Sequence, residues 1–198
     1  QDYSEAVEWY RLAAEQGHAR SQAALAAIYL NGRGVEPNTP EGARWLLLAA
    51  DQGYARAQNA IGVMYATGQG VPEDMAEAVR WLRLAADQGH AEAQSNLAIA
   101  YATGEGVEQD FAEATRWFRL AADQGDASAQ NNLGIAYATG RIGPEDIVVA
   151  HMWFNVAAAQ GHEDAQENKD SLEQRMTREE IAEAQRMSRE WLEAHPPS

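Results

Sequence analysis

The sequence predicts an all-α fold: a solenoid of antiparallel helix pairs, stacked at a 36-residue period and closed by a C-terminal capping helix. Three observations carry this. Trp9, Trp45, Trp81, Trp117 and Trp153 recur 36 residues apart without a slip. The same step relates the Gln-Gly pairs ending at Gly17, Gly53, Gly89, Gly125 and Gly161, and the tyrosines Tyr29, Tyr65, Tyr101 and Tyr137. Residues 91–125 show the unit whole: a helix, a Gly-punctuated turn, a second helix and a Gly stop. Self-similarity at this period marks supersecondary units that bury their apolar faces only against their neighbours.

Taken in order, residues 1–16 read as an amphipathic helix with Ala6, Trp9, Leu12 and Ala13 on one stripe. Asp2 and Glu5 have the spacing of a capping box, repeated as Asn38/Glu41, Asp74/Glu77 and Asp110/Glu113. The fifth copy keeps Asp146 but has Val149 at the Glu position, which predicts a weaker start. Residues 19–31 form the second helix type, with Gln22, Leu25, Ala26 and Tyr29 on one face. Later copies read Gln58, Ile61, Gly62, Tyr65, then Gln94, Leu97, Ala98, Tyr101, then Gln130, Leu133, Gly134, Tyr137. Gly or Ala in one column predicts close helix approach, worth the Gly helix penalty of about 1 kcal/mol. The Gly-x-Gly pairs that follow make the turn, and the fourth turn, Gly140-Arg141-Ile142-Gly143-Pro144, shifts the second Gly by one place.

Beyond Gly161 the pattern decays. Lys169, Asp170 and Glu173 stand where Leu97, Ala98 and Tyr101 stood, so no ordinary repeat follows. Thr177 and Glu180 open a last helix whose apolar face carries Ile181, Ala184, Met187 and Trp191, before Pro196 and Pro197 end the order. One buried side and one wet side is what a terminal cap requires.

Composition narrows the function. With 30 acidic and 15 basic residues the formal charge is −15, which opposes nucleic-acid and anionic-membrane binding, since both need a basic face. No run of about 18 apolar residues is present to span a bilayer. There is no cysteine, hence no disulfide, thiolate metal site or cysteine nucleophile. No signal-peptide pattern stands at Gln1.

These columns resemble the Sel1-like repeat family, relatives of tetratricopeptide solenoids, whose pattern is A-x-A-Q-x-x-L-G-x-x-Y-x-x-G-x-G-V, then A-x-x-W and A-A-x-Q-G. In the central copy Ala91, Ala93, Gln94, Leu97, Tyr101, Gly104, Gly106, Val107, Ala114, Trp117, Ala121, Ala122, Gln124 and Gly125 match, with Ala98 at the Gly position. The resemblance covers roughly residues 1–165. It implies a right-handed superhelix in which the Gln-Tyr helix leads each pair and the Trp helix follows. Residues 1–17 are then an orphan second helix, with the natural chain expected to extend upstream. Four repeats follow at 18–53, 54–89, 90–125 and 126–161, then a degenerate repeat helix and cap over 162–195. The resemblance also implies a scaffold or adaptor that binds protein segments, no shared catalytic residue and no cofactor. It favours the bacterial periplasm or secretion over the cytoplasm.

Several constellations invite chemistry. Arg44, Arg80 and Arg116 share a column, with Arg11, Arg83 and Arg119 three residues on. An anion-binding stripe is one reading. The better one pairs the first column with Glu41, Glu77 and Glu113, and the second with Glu15, Asp87 and Asp123, as solvated ion pairs worth about 0.2–0.5 kcal/mol each. His18, His90 and His162 share a column two repeats apart, roughly 20 Å between adjacent members at ordinary helix spacing, which is too far for one metal. They are expected to cap helix starts, and His151 and Met152 to be packing or surface residues. The Trp and Tyr columns are expected to be core. No His-Glu-x-x-His, phosphate loop or Ser-x-x-Lys occurs, and Lys169 is the only lysine.

What remains are positions on the leading helices that the period does not fix: Arg56, Asn59, Val63 and Thr67, then Glu92, Ser95, Ile99 and Thr103, then Ser128, Asn131, Ile135 and Thr139. Each set lies on one helix face. Val63, Ile99 and Ile135, flanked by Asn and Thr donors, would suit an extended or helical peptide. With the family placing this face in a concave groove, the expectation is a partner protein or peptide held there. The rivals are a hydrolase, as linked to cysteine-rich relatives, and a passive spacer.

Overall fold

A computed structural model of the chain describes residues 3–141 and 144–195. The described residues form eleven α-helices: α1 (Tyr3–Glu15), α2 (Ala19–Asn31), α3 (Thr39–Asp51), α4 (Ala55–Thr67), α5 (Met75–Asp87), α6 (Ala91–Thr103), α7 (Phe111–Asp123), α8 (Ala127–Ala138), α9 (Ile147–Ala158), α10 (Glu163–Glu173) and α11 (Arg178–Ala194). They fall into two compact units, residues 1–93 with 104–108, and residues 94–103 with 109–198. In the first, α2 packs on α3 and α4 on α5 as pairs, with α1 on α2 and α3 on α4 linking them. In the second, α7 packs on α8, α8 on α9, and α9 on both α10 and α11.

Helix starts are set by side chains that accept the first free N–H groups. Asn38, Asp74 and Asp110 accept from the amides of Glu41, Glu77 and Glu113. Asp146 accepts equally well from Val149 at 3.0 Å, so the fifth start is not weakened by losing its Glu. The glutamates do something else: Glu41, Glu77 and Glu113 pair with Arg44, Arg80 and Arg116, one turn on. Thr177/Glu180 is a reciprocal capping box. Asp2, the side chain of Glu5, Gly143 and the Pro196-Pro197 stop lie outside the described residues.

Two glycines show why that residue type recurs in the turns. Gly53 sits at φ +83° with open space around it, so only its left-handed conformation matters. Gly106, at φ +72°, also has its missing Cβ pressed within 2.2 Å of the Met75 carbonyl oxygen, so any side chain would strike backbone.

Trp45, Trp81, Trp117 and Trp153 are 7, 4, 5 and 2% exposed, as core requires. Trp9 is not core: it is 67% exposed, and Tyr10 beside it 43%. Among the later Trp helices, α3, α5 and α9 pack on α2, α4 and α8, the leading helices before them, whereas α1 contacts α2, the helix after it. Leu12 also departs from its expected burial, and with Leu48, Leu84 and Leu120 forms an exposed column at 40–51%.

The small-residue column accommodates a side chain as well as a backbone. A Cβ on Gly62 would lie 2.9 Å from Leu82 Cγ, and one on Gly134 would lie 2.4 Å from the Phe154 ring. Volume is exchanged between columns too. Gly42 would place a Cβ 2.8 Å from Leu30, where the other copies have Ala at both positions.

A glutamine ladder supplies the polar part of the core. Gln22, Gln58 and Gln130 are buried, and their side-chain amides donate to the carbonyls of Ala14, Ala50 and Ala122 at 3.1 Å. Their oxygens accept from Gln52, Gln88 and Gln160, and Gln94 accepts from Gln124, all at 2.7–2.8 Å. The Gln of the last four Gln-Gly pairs thus ties one Trp helix to the leading helix before it.

The C-terminal end is closed by polar pairs as well as apolar contact. His151 is fully buried, with Nε2 2.8 Å from Glu173 Oε1, in the column that held tyrosine. Met152 is buried. On α11, Ala184 and Ser188 are buried, Ser188 Oγ accepts from Asn155, and Trp191 meets Trp153 edge to face at 5.6 Å.

Candidate functional site

The arginine ladder is structural. Arg80 makes bidentate hydrogen bonds to Glu77, the largest cause of its raised pKa, and its guanidinium lies 4.1 Å from the Trp81 ring centroid. Arg116 and Arg44 stand over Trp117 and Trp45 in the same way. The second column differs from expectation: Arg11 and Arg119 donate to the hydroxyls of Tyr29 and Tyr137 on the following helix. A phenol on the next leading helix outcompetes a carboxylate one turn along, because the latter is well solvated where it is. His90 and His162 accept the amides of Ala93 and Ala165, as helix caps, whereas the His18 side chain makes no such bond.

Among the described residues no group of three or more His, Cys, Asp or Glu could hold a metal. No described helix is long and apolar enough to cross a membrane.

The twelve predicted positions separate by burial. Arg56, Val63, Thr67, Glu92, Ile99, Thr103, Ser128 and Thr139 are exposed and Ile135 is half-buried. Asn59, Ser95 and Asn131 are only 5, 5 and 7% exposed. The expectation that packing leaves this column free is therefore corrected: it lies inside the helix packing, and Asn131 Oδ1 accepts from Asn168 at 3.0 Å. The threonines are corrected as donors. Thr67 and Thr139 donate to the carbonyls of Val63 and Ile135 in their own helices, which uses their hydroxyl protons.

The structure gathers seven of the twelve around two hollows, one in each unit. Arg56, Asn59, Val63 and Glu92 line the first, of about 550 Å³, with Leu30, Leu46, Met64 and His90. Ile99, Thr103 and Ile135 line the second, of about 180 Å³, with Phe111, Thr115, Phe118, Asn132 and Arg141. Thr67, Ser95, Ser128, Asn131 and Thr139 line neither. The first hollow offers both charge signs at an aliphatic surface, and the second is an apolar slot. Nothing in the period singles out Phe111, at the start of the Trp helix α7, or Arg141, in the turn after the leading helix α8. The available signal was an aromatic residue at Phe111, in a column that otherwise reads Tyr3, Thr39, Met75 and Ile147.

The model of the Sel1 repeat matches residues 1–18, 19–54, 55–90, 91–126 and 127–162. No curated protein matches the chain. Among solved structures, the chain is 36% identical to a protective antigen of uropathogenic Escherichia coli that displays an SLR fold, with a TM-score of 0.91. That match covers 97% of this chain and 41% of the antigen, so the chain spans less than half of that protein. A Sel1 repeat protein from Oxalobacter formigenes is 34% identical, with a TM-score of 0.76, over 83% of this chain and 68% of its own. An immunity protein from Pseudomonas aeruginosa, 20% identical over 96% of this chain and 75% of its own at a TM-score of 0.58, shares the fold.

Proposed function

The chain belongs to the Sel1 repeat family, and from that premise we propose that it is a scaffold that binds a partner protein or peptide on the exposed face of its leading helices. Sel1 repeats are in general protein-interaction modules and typically non-catalytic. The observation that carries the reading is Val63 and Ile99, aliphatic side chains 37% and 41% exposed beside the two hollows. Leu25, Ile61, Leu97 and Leu133 of the leading helices are fully buried, whereas these two side chains stand open to water, and a peptide laid along them would cover them. The residues around them vary from copy to copy, as Arg56, Glu92 and Ser128 do in one column. Variation at fixed geometry lets one backbone read a particular partner.

The exposed leucine column of the Trp helices is the competing face. Its residue is the same in four copies and adjoins neither hollow, which favours the leading helices. Photo-crosslinking decides between them. With benzoylphenylalanine at 63 or 99, one discrete adduct is expected in cells that express the protein, and none from 84 or 120. Adducts from 84 and 120 alone would move the interface to the leucine column. None from any position would leave the spacer reading standing.

A further inference from the structure

The second hollow has features that its counterparts in the other copies do not combine. Its floor is α7, where Phe111 and Phe118 are two of the chain's three phenylalanines. Ile99 and Ile135 form its walls, from the leading helices α6 and α8. At the mouth stands Arg141, exposed, its guanidinium 5.9 Å from the Phe111 ring centroid. Among the described residues no carboxylate pairs with it, unlike Arg44, Arg80 and Arg116. In the Arg141 column the other copies have Arg33, Gln69 and Glu105, and in the Phe111 column Tyr3, Thr39, Met75 and Ile147. The first copy also puts an aromatic and an arginine in these columns, but with Ala27 where Ile135 stands.

Resting on the reading of the leading helices as a partner-binding face, we propose that this slot takes one large apolar side chain of a bound peptide, with an adjacent acidic residue of the same peptide paired to Arg141. The volume of about 180 Å³ sets the first half. It is smaller than the roughly 300–1,000 Å³ of cofactor and small-molecule pockets, and it suits a single leucine, methionine or phenylalanine side chain. Charge sets the second half. On a chain of net charge −15 an acidic peptide is repelled almost everywhere, so an unpaired cation at the rim of an apolar slot fixes where an acidic-apolar segment can settle. The same repulsion orients it, with its acid held toward Arg141 and its apolar side chain toward Phe118.

The three phenylalanines provide the assay. In chain labelled with 4-fluorophenylalanine, Phe111 and Phe118 report the slot, while Phe154, buried against Gly134, reports the fold. The probe is the blocked peptide acetyl-Ser-Gly-Asp-Leu-Glu-Ser-Gly-amide. Saturable shifts of the Phe111 and Phe118 signals with a still Phe154 signal are expected, at a Kd of about 0.1–5 mM for one buried side chain and one ion pair. Arg141→Gln is expected to weaken binding about 3-fold, the worth of a partly exposed ion pair. Replacing the peptide's Asp and Glu by Asn and Gln should cost the same factor, and nothing further in the Arg141→Gln chain. Leu→Ala in the peptide should abolish binding. Thr115→Leu should close the slot, in a column that already accepts Val79 and His151, with the Phe154 signal unchanged.

No saturable shift, or shifts indifferent to both Arg141→Gln and the loss of the peptide acids, would overturn the proposal. Crosslinks from 63 and 99 alongside such a result would retire the slot's assignment alone. Loss of those crosslinks as well would retire the binding face itself.

Discussion

Replacing Gln130 by Glu puts the polar core under direct test. Gln130 is fully buried, donates to the Ala122 carbonyl at 3.1 Å and accepts from Gln160 at 2.7 Å. The substitution keeps the shape and the acceptor, but a carboxylate has no proton for Ala122. The lost hydrogen bond costs about 1 kcal/mol. The unpaired buried charge adds more, with a ceiling of about 4 kcal/mol at pH 7, beyond which the group would rather protonate (about 2.7 pH units above 4.3, at 1.36 kcal/mol each). A total destabilisation of about 2–4 kcal/mol is expected at neutral pH. Burial raises the folded-state pKa of the new carboxyl above its unfolded value, so the sign follows. Below about pH 4.3 both states are protonated, the acid O–H again serves Ala122, and the penalty is small; it grows as pH rises toward the folded pKa. Gln130→Met should cost about 1–2 kcal/mol with no such pH dependence, because Ala122 still accepts from Gly125 and Gln160 turns to water. Urea unfolding of wild type and both variants, compared at matched pH, measures all three. A Glu variant within about 0.5 kcal/mol of wild type at pH 7, the ordinary size of a surface effect, would refute the ladder's role.

Other positions give separate checks by the same unfolding measurement. Trp81→Ala is expected to cost about 3–5 kcal/mol, as a large core truncation does, and Trp9→Ala less than about 0.5. Gly134→Ala should destabilise by about 1–3 kcal/mol through overpacking against Phe154, despite about 1 kcal/mol gained in helix propensity. Phe154→Leu in the same chain should restore most of that loss. His151→Ala removes a buried contact to Glu173, so it should cost about 2 kcal/mol and speed amide exchange in α10. Glu173→Gln, which keeps a hydrogen-bonding partner, should do neither.

The helices and their order were legible because each position must solve the same packing problem every 36 residues, and a repeated solution prints a repeated letter. The Trp, Gln, Tyr and Gly columns therefore announced themselves. What they do was less legible. The Gln columns read as punctuation, yet they bond across 30 residues, a pairing that depends on how helices abut. The ion pairs of Glu41, Glu77 and Glu113 with Arg44, Arg80 and Arg116 were legible from their spacing. That these glutamates would serve the arginines alone was not, since sequence does not rank two partners within reach. Trp9 carries its column's letter but not its burial, because burial belongs to the neighbouring helix.

The candidate binding positions were legible only by subtraction. Taking out the fixed columns left Val63, Ile99 and Ile135, which do line hollows, but also Asn59, Ser95 and Asn131, which are packed. A small polar side chain in a helix looks the same in sequence whether it faces water or another helix. Phe111 and Arg141 escaped because they lie on elements that the period assigns to support.

The most direct measurement is a chain carrying Val63→Ser, Ile99→Ser and Ile135→Ser together, assayed for unfolding midpoint and for recovery of the partner crosslinked at 63. Val63 and Ile99 are exposed and Ile135 is half-buried against the Phe154 cluster, so the stack should hold, with about 1–3 kcal/mol lost, while partner recovery disappears. A chain that loses its stability instead, or that keeps both fold and partner, would contradict the division between columns that build the stack and positions that bind.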